Sequence, residues 1–100
     1  ILYSEKMKGI RKGNAMKCIE YTIRDALGIH ARPAGMLVKE ASKFTSEIRV
    51  RCKGKEGDAK KILSLMGLAA KEGDRVEITV EGPDEEEAAA VLERFMSENL

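Results

Sequence analysis

Lys17-Cys18-Ile19-Glu20-Tyr21-Thr22-Ile23 is followed, eight residues on, by Ala31-Arg32-Pro33-Ala34-Gly35-Met36-Leu37-Val38, and between the two segments the apolar period changes. In the first, Ile19, Tyr21 and Ile23 alternate with Cys18, Glu20 and Thr22, the period of a half-buried strand. Cys18 is thus expected to point away from the core. In the second, Ala34, Leu37, Val38, Ala41 and Phe44 recur at the spacing of one helix face. Pro33 sits in its first turn, where a missing N–H costs nothing. The spacing predicts a helix from about Ala31 to Phe44.

Downstream, Ile48, Val50 and Cys52 alternate with Arg49 and Arg51 as a second strand, and residues 53–58 read as a turn into a short, weak third strand containing Gly57. Ile62 to Ala70 is apolar apart from Ser64 and Gly67, which predicts a second helix. It is too short to be buried on all sides in a chain of 100 residues, so part of its apolar surface is expected to be exposed. Val76, Ile78 and Val80 mark a fourth strand. After Gly82-Pro83, acidic residues 84–87 suit the start of a last helix, whose buried face is Ala88, Val91, Leu92, Phe95 and Met96. The order predicts an α+β domain, helices on one side of a mainly antiparallel sheet. It spans residues 16–100; residues 1–15 lack a regular apolar period and read as a leader, a linker from an upstream segment or a remnant.

Composition narrows the function. One hundred residues allow a single modest core. Charged residues are 35% of the chain at a net charge of +1, and Lys6, Lys8, Arg11 and Lys12 against Glu5 put +3 on residues 1–15, leaving −2 on the rest. With only Tyr3, Tyr21, Phe44 and Phe95 as aromatics, a nucleic-acid interface is not expected. No apolar run approaches the ~20 residues of a membrane span and no secretion signal opens the chain, so the expected location is cytoplasmic, with no membrane insertion. Cys18 and Cys52, read on opposite strand faces, are expected to be reduced thiols. No metal-ligand cluster, glycine-rich nucleotide loop or second catalytic group accompanies the histidine, so neither a cofactor nor an autonomous catalytic site is expected.

The only histidine, His30, stands in Gly28-Ile29-His30-Ala31-Arg32-Pro33-Ala34, directly before the unpaired N–H groups of the first helix. A lone histidine at a helix start is usually a polar cap. Here the backbone N–H groups of Ala31 and Arg32 form an anion site, imidazole is a nucleophile whose N–P bond passes a phosphoryl group onward, and the Arg32 guanidinium is a planar cationic fork for phosphoryl oxygens. Gly28 lets the chain turn sharply into the site.

This run resembles the active-site motif of the histidine-containing phosphocarrier protein family, HPr, of the sugar phosphotransferase system. The similarity continues without a gap from about Met16 to Leu100, through Gly54-Lys55-Glu56, Ala59-Lys60, Leu65, Leu68, Gly73 and residues 76–80. The resemblance implies an open-faced sandwich, a four-stranded antiparallel sheet covered on one side by three helices. It implies phosphorylation of His30 at Nδ1 by enzyme I, steadying of the group by Arg32, and transfer to the A component of a sugar permease, in a monomer. The docking residues it implies are Ile62, Leu63 and Met66. Two positions depart from the family pattern. Lys61 stands where many Gram-positive relatives carry a kinase-regulated serine, so that regulation is not expected. Leu27 stands where relatives often have a small polar residue. A regulatory paralogue that acts on a control protein instead of a permease would keep His30 and Arg32, because partner choice lies in the docking surface.

Overall fold

The computed structural model describes residues 16–100; the leader or linker reading of residues 1–15 lies outside the described residues. Strand β1 (Lys17–Thr22), helix α1 (Ala31–Ala41), strands β2 (Glu47–Cys52) and β3 (Lys55–Asp58), helix α2 (Ile62–Met66), strand β4 (Arg75–Glu81) and helix α3 (Glu85–Asn99) follow in chain order. The strands form one antiparallel sheet in the order β1-β4-β2-β3, with the three helices on one face. This is the open-faced α+β sandwich expected from the element order.

Register explains the core. Ile19 lies opposite Ile78, Ile78 opposite Val50, and Val50 opposite Gly57, one row running across the whole sheet. These apolar residues pack with Leu37, Leu65, Leu68, Leu92 and Met96 from the helical layer, and each such fully buried side chain contributes about 1.5–3 kcal/mol. The row ends on glycine for a reason. A Cβ at Gly57 would lie 2.8 Å from the carbonyl oxygen of Ser64, so the absent side chain lets α2 close onto β3.

Both early helices are shorter than their apolar spacing predicts. α1 ends at Ala41, and Phe44 is buried from a turn in which its N–H donates to the Ala41 carbonyl. α2 ends at Met66 because Gly67 follows as its cap and Ala69 turns left-handed at φ 55°, carrying the apolar residues 68–70 out of the helix. The last helix buries Ala89 as well as Ala88, Leu92, Phe95 and Met96, and leaves Val91 partly buried.

The open sheet face carries ion pairs in place of a second layer: Arg49–Glu47, Arg51–Glu56, Arg51–Glu77 and Arg75–Glu20. Exposed pairs of this kind each stabilise little. Cys18 points away from the core cluster, as its alternation predicts. It lies on this face, opposite Thr79, but is only 5% exposed, because a small side chain among longer ones is covered by them. Burial, with the carboxylates of Glu77 and Glu20, pushes its thiol pKa up. Cys52 faces the core instead, and both are free thiols.

One polar clip joins two loops. The Asp84 carboxylate turns away from its own helix and accepts from the N–H groups of Thr45 and Ser46, 2.9 Å each, and from the Ser46 hydroxyl. The Ser46 hydroxyl and the Thr45 amide hold the carboxyl at about 2, below its ordinary 3.8. Its folded pKa is depressed, so this stabilisation is present above about pH 4 and lost as the pH falls toward 2. In urea titrations between those limits, the wild type should lose stability more steeply than Asp84→Asn, which starts lower at neutral pH. Parallel curves would mean that the clip carries no pH-dependent stability.

Candidate functional site

The segment leading to His30 is fastened along its length. The N–H groups of Arg24 and Asp25 donate to the main-chain oxygen of Leu100, at 2.6 and 2.8 Å, and the Arg24 guanidinium donates to the Ser97 carbonyl at 2.6 Å. Asp25 then closes a tight turn. Its Oδ1 accepts from the Leu27 N–H at 2.8 Å, and its carbonyl accepts from Gly28 at 2.9 Å. Gly28 takes φ +68°, and a Cβ there would stand 2.2 Å from the Ala70 carbonyl oxygen and 2.7 Å from the Lys71 Cα. The next amide, Ile29, donates to that same Ala70 oxygen at 3.0 Å, and its side chain is buried. The loop after α2 therefore forms the floor of the turn.

This turn delivers His30 as the N-cap of α1, with extended backbone at φ −106° and ψ −173°. Its carbonyl accepts the first helical bond from Ala34, 2.9 Å, while its side chain caps nothing. The imidazole is 30% exposed. Ahead of it the N–H groups of Ala31 and Arg32 have no partner among the described residues, and Pro33 has no N–H to satisfy. Arg32 is exposed, and among the described residues its guanidinium hydrogen-bonds only the Met36 sulfur, at 3.8 Å. Two free amides, an unengaged guanidinium and a partly exposed imidazole make a site for a tetrahedral anion next to a nucleophilic nitrogen. Among the described residues no cluster of His, Cys, Asp and Glu could hold a metal ion, and no helix is long and apolar enough to cross a membrane.

The expected surplus of apolar surface on α2 is present: Leu63 is 80% exposed, and Ile62 and Met66 about half as much. The Ile62 side chain lies 3.7 Å from where a Cβ would stand at Gly35, which brings α2 beside the second turn of α1. Leu27 and Met36 are the other large exposed apolar side chains among the described residues, one on the turn before His30 and one on the turn of α1 after it. Lys61 is the exposed N-cap of α2, and its side chain makes no cap hydrogen bond. Sequence reasoning missed Asp25, whose Oδ1 lies 3.9 Å from His30 Nε2. The two residues are five apart across a turn, and no periodicity reports such a contact.

A family model described as the PTS HPr component phosphorylation site matches residues 17–98. The chain belongs to the HPr family. The phosphocarrier protein HPr of Lysinibacillus sphaericus is 46% identical over 83 residues, spanning 83% of this chain and 94% of the relative. That of Mycoplasma genitalium is 45% identical over 85 residues, 84% of this chain and 97% of the relative. Among solved structures, HPr of Bacillus anthracis superposes with a TM-score of 0.77 at 37% identity, covering 83% of this chain and 99% of that one. The catabolite repression HPr of Bacillus subtilis, Crh, described as a domain-swapped dimer, superposes with a TM-score of 0.68 at 38% identity, covering 80% and 92%. The match runs through every element of the HPr fold described above.

Proposed function

We propose that this chain carries phosphoryl groups between proteins, taking them at His30 from the phosphohistidine of enzyme I and yielding them to the A component of a sugar permease. The observation that carries the reading is the N-cap imidazole, free of any capping bond, beside the unpartnered amides of Ala31 and Arg32. The lone pair of Nδ1 forms the new N–P bond while the donor's N–P bond breaks and returns its electron pair to the donor ring. The two amides and Arg32 bind the phosphoryl oxygens. The protein works as a cytoplasmic monomer without a cofactor. Its partners dock on Ile62, Leu63 and Met66, and it supplies one nucleophile to active sites completed by each partner.

The test is incubation with enzyme I and phosphoenolpyruvate. The chain should gain the mass of one phosphoryl group, labile in acid and stable in alkali; a chain that gains none is not a carrier on this route.

Arg32→Ala should fold normally, since the side chain is exposed, and should transfer more slowly. Loss of a charge-assisted contact of about 1.5–3 kcal/mol corresponds to a rate lower by about tenfold to a hundredfold. Stopped-flow transfer from phosphorylated enzyme I measures it, and unchanged rates would make Arg32 a bystander.

A second reading, a regulatory paralogue acting on a control protein, is favoured by the similarity to the catabolite repression HPr of Bacillus subtilis. Lys61 at the regulatory-serine position removes the serine switch in either case. Transfer onward to a permease A component, measured after loading, separates the two readings.

A further inference from the structure

We infer that Asp25 is a positioning residue for His30: its carboxylate holds the hydrogen of the neutral imidazole on Nε2 and so leaves the Nδ1 lone pair free. The inference rests on the carrier reading for its consequence, but not for its geometry. Asp25 Oδ1 lies 3.9 Å from Nε2, and the imidazole makes no cap hydrogen bond that would orient it otherwise. The carboxylate is itself fixed. Its Oδ1 accepts from the Leu27 N–H, and its own N–H donates to the Leu100 main-chain oxygen. Both side chains are mostly shielded from water, at 24% and 30% exposed, so the pair is less screened than one on the open surface.

A carboxylate is an acceptor only, so the ring nitrogen facing it is favoured as N–H. The other nitrogen, Nδ1, bonded nearer the main chain, then keeps its lone pair. The same contact serves the transfer. When Nδ1 forms its bond to phosphorus and the donor nitrogen recovers its electron pair, the His30 ring still carries its hydrogen on Nε2 and takes on imidazolium character. The adjacent carboxylate offsets that charge without leaving its place, because the Leu27 N–H holds its Oδ1 and the Asp25 main chain is anchored to Leu100. A separation of 3.9 Å is long for a hydrogen bond, and bonds of this kind tighten when the reacting group is loaded.

Asp25→Asn tests this, because it keeps an Oδ1 acceptor for Leu27 while removing the charge and turning the other oxygen into an NH2 donor. The chain has one histidine, so its nitrogen-15 ring signals are unambiguous. Recorded well above the ordinary imidazole titration range, the wild type should be mainly the Nε2–H tautomer and Asp25→Asn should shift toward Nδ1–H. Transfer from phosphorylated enzyme I should fall by about threefold to tenfold, the difference between a charged and a neutral acceptor, and Asp25→Glu should recover part of it. A purely structural role would change the Leu27 amide exchange rate and leave the tautomer alone. Identical tautomer populations in wild type and Asp25→Asn would overturn the inference. If the tautomer follows Asp25 while the wild type accepts no phosphoryl group, the carrier reading fails and the positioning role stands.

Discussion

His30→Ala should fold as the wild type does and lose all acceptance of phosphoryl groups from enzyme I. Folding is spared because the imidazole is partly exposed and makes no capping bond, so an alanine N-cap forfeits little. Acceptance is abolished because, among the described residues, no other nucleophile sits at the N-cap beside the pair of amides that would bind the phosphoryl oxygens. Intact-mass spectrometry after incubation with enzyme I and phosphoenolpyruvate reads the result directly. A phosphoryl gain that persists in the variant would falsify the assignment to the only imidazole in the chain.

Gly28→Ala should be the most damaging single methyl group in the site. The new Cβ would meet the Ala70 carbonyl oxygen at 2.2 Å and the Lys71 Cα at 2.7 Å, main-chain atoms that cannot swing aside. A positive φ adds strain for any L side chain. Strain and overpacking together give a loss of about 2–5 kcal/mol. Gly54→Ala is the matched control. That glycine also has positive φ, at +81°, but a Cβ there meets nothing within 4 Å, so only the strain of about 1 kcal/mol remains. Thermal unfolding of the two variants side by side decides the matter: equal losses would mean that the contact with Ala70 is not a constraint. The surviving Gly28→Ala protein should also transfer slowly, since any relief of the clash moves the turn that carries His30.

The sheet was legible because its two faces meet different surroundings. Ile19, Ile48, Val50, Val76 and Ile78 face the helices, so period-two alternation marks three of the four strands. The weak third strand was legible as the short stretch after a turn, and Gly57, which makes it look unlike a strand, is the residue that admits α2. The helix ends were less legible. Leu68 and Ala70 are apolar because they are buried in the loop after α2, and the Ala70 carbonyl is committed to Ile29 instead of to a helix. Apolar spacing reports burial, not the bonds of the main chain. The same limit hid the shielding of Cys18, where direction could be read and neighbours could not. At the site, His30, Arg32 and the exposed face of α2 were readable from local rules. The approach of Asp25 to the imidazole and the clip from Asp84 to Ser46 were not, because a tight turn makes the first and two loops thirty-eight residues apart make the second.

The seat of Gly28 and Ile29 on Ala70 ties the turn that carries His30 to the loop after the helix that bears Ile62, Leu63 and Met66. On the carrier reading proposed above, His30 and the proposed docking residues thus stand on neighbouring segments joined by a main-chain hydrogen bond. A partner docking on the apolar side chains as proposed would find the imidazole beside them, its turn already seated on Ala70. Under that proposal encounter would be a matter of orientation, with the same geometry whether the group is arriving or leaving. Hydrogen exchange reads this link: the Ile29 amide donates to the Ala70 carbonyl, so its protection should follow the stability of the loop after α2.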